Sequence, residues 1–193
     1  MVYLVEQSTD PRCCPVFNWI GDPYYFRDMP HETPPGTRLV VEGFPRVLEI
    51  ESSHTTLPDF FLLSGKYAVS SKTKDILEEL EPGVHQFIPI VLKKKSGEPF
   101  EGKFYVLHPR SAVDAIAPEL SDVSIHTTPG GRVTMRLSKV NPKLTSYKSK
   151  INGRHFWTGD ESFSNLFFSS DEFFQKIQNE KLIGFKFIPM SVV

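Results

Sequence analysis

The sequence predicts an α+β fold, made of two related strand-helix-strand units with a β-hairpin between them. The first observation behind this is a repeat. Residues 67–90 (YAVSSKTKDILEELEPGVHQFIPI) and 167–190 (FFSSDEFFQKIQNEKLIGFKFIPM) align without a gap at a spacing of 100, so that Ser70 meets Ser170 and Phe87-Ile88-Pro89 meets Phe187-Ile188-Pro189. The second is helical spacing of apolar residues within each copy: Thr73, Ile76, Leu77 and Leu80 in one, Phe173, Phe174 and Ile177 in the other. Each helix therefore has one face to bury. The third is Pro129-Gly130-Gly131, set between the alternating runs Val123, Ile125, Thr127 and Val133, Met135, Leu137. Adjacent glycines supply the positive φ that a tight hairpin turn requires.

Taken in order, residues 2–5 open a strand, and residues 13–35 form an irregular, proline-rich segment with Phe17, Trp19, Tyr24, Tyr25 and Phe26. Aromatics in such a stretch either pack a long loop onto the core or form a partner-binding surface. Residues 38–50 read as extended structure interrupted by Gly43 and Pro45. Residues 1–56 are thus expected to pack, as an N-terminal segment, on a domain of residues 57–193, in one compact body. In the first repeat copy Pro82-Gly83 stops the helix. In the second, Ser169 followed by Glu172 fits a capping box, with Asp171 and Glu172 at the positive end of the helix dipole. Each Phe-Ile-Pro stretch reads as a strand that is an edge, or ends, near its proline, because proline removes a ladder donor. Lys93-Lys94-Lys95-Ser96-Gly97 separates the apolar runs 87–92 and 103–108 as a hairpin connection does. Residues 111–120 read as a short helix or turn ended near Pro118, and His155-Phe156-Trp157 as a short strand.

The 193 residues, 39% hydrophobic and 23% charged, suit one soluble globular body. A formal charge of −1 marks neither a nucleic-acid coat nor an acidic tail. No basic segment with an apolar stretch behind it opens the sequence, and no apolar run reaches the length of a membrane span; a cytoplasmic protein is expected. The adjacent Cys13-Cys14 pair is neither a long-loop staple nor a CxxC motif, so both thiols are expected to be reduced.

Catalytic grammar is missing. Gly65-Lys66 is followed by Tyr67 where a phosphate loop needs Ser or Thr. There is no GxGxxG before a helix and no GxSxG. His31, His54, His85, His108, His126 and His155 stand without metal-ligand spacing. The sequence thus predicts no enzyme, no cofactor and no metal, the alternative being a polar site assembled from distant residues such as His108, Asp114 and His126.

The strongest surface signal is charge. From Val123 to Gly159 there is no Asp or Glu, while Arg132, Arg136, Lys139, Lys143, Lys148, Lys150 and Arg154 are all present, so the rest of the chain is net acidic. A solvated hairpin face accounts for this, and so does a patch that recognises an acidic protein surface or a phosphate backbone. In the phosphate reading, Tyr147, Phe156 and Trp157 would stack on bases.

The order of the pieces resembles a bacterial immunity protein family of polymorphic toxin systems. The resemblance rests on Leu57-Pro58-Asp59-Phe60, the Leu-rich helix, Pro82-Gly83-Val84-His85-Gln86-Phe87-Ile88-Pro89, Tyr105-Val106-Leu107 with Val113-Asp114-Ala115-Ile116, His155-Phe156-Trp157, Leu166 to Glu172, and Gly184 to Pro189. It covers residue 57 onward. Ala117-Pro118 departs from the family pattern, and Gly184 has Val84 as its counterpart in the first copy. These are core and capping residues, which report a fold better than a function, and no partner-binding residue is carried over. The resemblance implies a monomer that neutralises a cognate toxin domain by protein-protein contact, with no membrane partner. Candidate toxin-binding residues, taken from the basic segment and its aromatic close, are Arg132, Arg136, Lys143, Lys148, Arg154 and Trp157. A nucleic-acid-binding module using residues 132–154 is the alternative.

Overall fold

The structure, a computed structural model, describes residues 1–19, 36–39, 41, 46–63, 65–127, 130–131, 133–138, 142–160 and 166–193. In chain order its strands are β1 (Val2–Gln7), β2 (Phe17–Trp19), β3 (Val47–Ile50), β4 (Phe60–Leu63), β5 (Lys66–Ser70), β6 (Gln86–Lys93), β7 (Phe104–His108), β8 (Val123–Thr127), β9 (Val133–Leu137), β10 (Thr145–Ser146), β11 (Phe156–Thr158), β12 (Phe167–Ser170) and β13 (Phe185–Val192). The α-helices are α1 (Ser71–Leu80), α2 (Lys148–Ile151) and α3 (Asp171–Asn179).

The expected α+β fold of two strand-helix-strand units is overturned. The protein is mostly β, with about 40% of the described residues in strands and 18% in helices. A six-stranded sheet has the order β2-β3-β6-β7-β5-β4, a five-stranded sheet the order β10-β13-β1-β12-β11, and β8-β9 stands as a sheet of its own. The reason lies in the pairing. The two strands beside each long helix do not bond to each other; they flank a third strand from elsewhere in the chain. Strands β5 and β6 flank β7, and β12 and β13 flank β1. What recurs is a sheet, and the helix is its appendage.

The recurrence holds to single residues. Tyr105 lies between Val69 and Pro89 in one sheet, and Tyr3 lies between Ser169 and Pro189 in the other. Outside these, Phe61 faces Ala68 as Trp157 faces Phe168. A parallel strand follows on the far side of each sheet, pairing Leu48 with Leu92 and Ser146 with Val192. On that side pairing begins only past each proline, at Val91 and Ser191, so Pro89 and Pro189 lie where no β3 or β10 ladder asks for their missing donors. Neither strand ends there. The middle strand, however, follows β6 in the first sheet and comes from the start of the chain in the second. Of the first 56 residues, Val2–Gln7 is therefore central rather than packed on from outside.

The helices start alike. Ser70 (φ −70°, ψ 165°) and Ser170 (φ −75°, ψ 166°) each accept a hydrogen bond from the backbone N–H three residues on, Thr73 and Phe173, which satisfies a donor left open at a helix start. The cap of α3 is thus Ser170, one residue later than the expected Ser169. Thr73, Ile76 and Leu77 of α1 and Phe173 and Ile177 of α3 are buried.

Alternation along the strands sorts the apolar residues into three cores. One lies on the six-stranded sheet (Phe17, Leu48, Phe61, Ile88, Ile90, Val106). Its counterpart lies on the five-stranded sheet (Val2, Leu4, Trp157, Phe168, Met190). Between them the two sheets and both long helices share Val5, Phe60, Leu77, Leu107, Phe156, Phe167, Phe173 and Ile177. Polar bonds also join the two sheets. Asp59 N–H donates to Ile183 O at 2.8 Å and Leu62 N–H to Gln7 Oε1 at 3.0 Å. Deeper in, Glu81 Oε2 accepts from His85 Nε2 at 3.0 Å and from Phe156 N–H at 2.8 Å, with the two side chains 5% and 0% exposed.

Candidate docking surface

The site is built on the β8–β9 hairpin, which forms as the sequence predicts, with Val123 opposite Leu137 and Thr127 opposite Val133. Its pleat separates two faces. Val123, Ile125, Met135, Leu137 and Val133 share one; Ser124, His126, Thr134 and Arg136 share the other. At the foot, Val123, Met135 and Leu137 pack against the core of the five-stranded sheet. Farther out the same face is open: Ile125 is 58% exposed and Val133 44%. Leu120, in the 3-10 turn Pro118–Leu120 that leads into β8, is 49% exposed.

The foot is tied down by Asp122, whose backbone N–H donates to Lys143 O at 2.8 Å and whose Oδ2 accepts from Lys143 N–H at 2.9 Å. Ser138 N–H adds a bond to Asp122 O at 3.0 Å. Thr145 Oγ1 donates to Leu120 O at 3.0 Å. These bonds fix the hairpin against β10 and place Lys143 at its base.

Of the candidates read from the sequence, Arg136 and Lys143 come together at the hairpin foot, and Lys148 follows β10 with its N–H on Val193 O at 2.8 Å. All three side chains are exposed, and none has an acidic partner among the described residues. Lys150, by contrast, is neutralised by Asp114 at 2.8 Å, and Glu119 is taken up by the Tyr147 hydroxyl. Arg154 is exposed but precedes β11, at the edge of the five-stranded sheet opposite β10. Arg132 lies outside the described residues. Trp157 is a correction: at 1% exposure it stacks on Phe168 with ring centroids 6.0 Å apart and belongs to the core. Phe156 is equally buried at 1%, so neither ring offers a base a stacking surface. The sequence reading missed Ile125, Val133 and Leu120 as surface residues. Alternation shows which face is apolar but not how far the core extends beneath it.

The scattered histidines do not converge. His108 Nε2 lies 2.9 Å from Thr37 O, Asp114 pairs with Lys150, and His126 Nε2 lies 3.2 Å from Ser124 Oγ. Ser170, His155 and Glu172 superficially suggest a relay. The same nitrogen, His155 Nδ1, faces both Ser170 Oγ at 3.1 Å and Glu172 Oε2 at 3.6 Å, whereas a relay needs one ring nitrogen for each partner. Ser170 Oγ is moreover committed to the cap. A groove of about 380 Å³ between α1 and α3, lined by Lys72, Asp75, Glu79, Lys176, Asn179 and Glu180, mixes both signs of charge, and Lys176 and Glu79 in it are paired at 2.7 Å. Among the described residues no group of three or more His, Cys, Asp or Glu side chains is placed to hold a metal ion, and no helix is long and apolar enough to cross a membrane.

Compared with known proteins, residues 10–192 match the model of a family described as Immunity protein family (Imm11). No curated protein matches the chain.

Proposed function

Because the chain belongs to the Imm11 immunity protein family, we propose that it binds a cognate toxin domain of a polymorphic toxin system and neutralises it by protein-protein contact. It acts in the cytoplasm of the bacterium that makes it, as a monomer until the toxin arrives, and shields that cell in interbacterial competition. It performs no reaction of its own. The observation that carries this reading is the family match across nearly the whole chain. The exposed cations Arg136, Lys143 and Lys148 beside the aliphatic hairpin support it, since a charged rim around an apolar centre is the usual anatomy of a specific interface. Arg132 and Arg154 are further candidates from the same cationic run of the sequence.

The test is survival. The toxin domain encoded beside this gene is expressed in a naive host with and without the protein, and the two are then co-purified. Rescue with a stable stoichiometric complex is the expected result. Rescue without a complex would mean that the protein reverses the damage chemically, and the absence of rescue would remove the immunity reading.

A further inference from the structure

We infer that the β8–β9 hairpin is the element that enters the partner, and that the surface it enters is an apolar pocket rimmed by acidic side chains. The partner's identity rests on the proposed function above; its surface chemistry rests on the hairpin alone.

The hairpin has no third strand beside it among the described residues, and its apolar face is covered only at the foot. Ile125 and Val133 stand on that face, 58% and 44% exposed, two positions outward from Val123 and Met135, which are partly buried against the core. β-branched side chains on a paired strand lose little rotamer freedom when they are buried, so the tip is pre-shaped for insertion. The opposite face and the foot carry Arg136 and Lys143, both without acidic partners among the described residues, so the complementary rim is acidic.

The side-chain types also choose the class of partner. Nucleic acid is gripped by stacking on exposed rings, and the rings near these cations are buried or bonded: Phe156 and Trp157 in the core, Tyr147 on Glu119. What stands in the open is aliphatic, which suits a protein pocket. A partner surface that is acidic is also not the basic cleft that a toxin acting on nucleic acid presents to its substrate. In that case the hairpin seizes such a toxin away from its cleft.

The experiment measures binding kinetics of the intact protein against the toxin domain encoded beside it, at low and physiological salt. Three proteins are compared: wild type, I125T/V133T, and R136E/K143E. Threonine keeps the β-branched shape, and Ile125→Thr alone serves if the pair lowers the melting temperature. The aliphatic pair is expected to speed dissociation about 10-fold or more with association unchanged, as loss of a buried anchor does. The charge pair is expected to slow association about 10-fold at low salt and to flatten its salt dependence. Wild-type kinetics in both variants, with rescue and co-purification intact, would overturn the hairpin inference and leave the immunity reading standing. Absence of any complex with wild type would remove both. Sedimentation of the protein alone that reveals self-association sensitive to I125T/V133T would assign the pocket to a second copy and overturn the partner. Retention of mixed-sequence DNA or RNA, lost in R136E/K143E, would do the same in favour of nucleic acid.

Discussion

Replacing Gly184 with alanine should be among the most damaging single-methyl changes in this protein. Gly184 opens β13 with φ +102°, and a Cβ built there would meet Phe60 O at 2.1 Å and both Phe60 C and Pro58 Cβ at 3.0 Å. A positive φ of this kind costs an L residue about 1–3 kcal/mol. The overlap adds more. Phe60 O is backbone, and moving it by about 1 Å disturbs the adjacent bonds by which Asp59 holds Ile183, through Asp59 N–H at 2.8 Å and Asp59 Oδ2 at 3.0 Å. Two weakened hydrogen bonds are worth about 1 kcal/mol each. Together these give a loss of about 3–5 kcal/mol, or about 6–20 °C in Tm for a chain of this size. Gly83 supplies the control: its φ is +66° and an added Cβ meets nothing within 4 Å, so Gly83→Ala should cost only about 1–2 kcal/mol. Urea unfolding of both variants, checked by calorimetry, measures the difference. If Gly184→Ala falls within about 1 kcal/mol of Gly83→Ala, the close approach of the two sheets at this point is wrong.

Glu81→Gln should destabilise by about 1–3 kcal/mol at neutral pH, because the buried carboxylate accepts from both His85 Nε2 and Phe156 N–H and an amide in its place buries an NH2 group beside those donors. Burial pushes the Glu81 carboxyl up, but the hydrogen bond and charge of His85 and the N–H groups of Phe156 and His155 outweigh it, and its pKa lies below the usual carboxylate value. The stabilisation is therefore complete above the unfolded value of about 4.3 and is lost as pH falls through the lower folded one. Urea midpoints of wild type and Glu81→Gln should converge as pH falls below about 4.3; a gap that widens there would contradict the assignment. Ser170→Ala should cost about 1 kcal/mol through loss of the α3 cap. Ser169→Ala should be close to neutral, because the buried Ser169 Oγ has no hydrogen-bond partner among the described residues. Equal losses at the two serines would show the cap to be misplaced.

The parts of this fold that could be read in the sequence are those whose cause is local. The helical spacing of the two long helices and the glycines of the β8–β9 turn act within a few residues, and each yields the element it announces, although the cap expected at Ser169 falls one residue on, at Ser170. The fold class fails for the opposite reason. Two helices of ten and nine residues carry dense periodic signals, whereas β10 and β11 have two and three residues, too few for alternation to register. That Tyr3 and Tyr105 occupy equivalent central positions is a matter of pairing across the whole chain, which no local pattern encodes. The site divides in the same way. The cationic run places Arg136, Lys143 and Lys148 on the surface, but neighbourhood in sequence also recruited Trp157, which the core claims. The open tip at Ile125 and Val133 was invisible because its alternation is indistinguishable from that of a covered strand.

The placement of β1 has a consequence for how each copy of the protein comes into being. During synthesis β1 leaves the ribosome before every other strand described above, and the strands that flank it, β12 and β13, follow about 160 and about 180 residues later. The six-stranded sheet meets no such delay: β4 to β7 lie within residues 60–108, and its last strand is made well before β12. Strand β1 must wait with Val2, Leu4 and Val5, all buried in the finished protein, still unpaired. Closing so long a loop adds little entropy beyond that of a short one, since the penalty grows only with the logarithm of length. The cost is time, during which both edges of β1 are open to unintended strand pairing. Of the described strands, the one made earliest is thus among the last to find its neighbours.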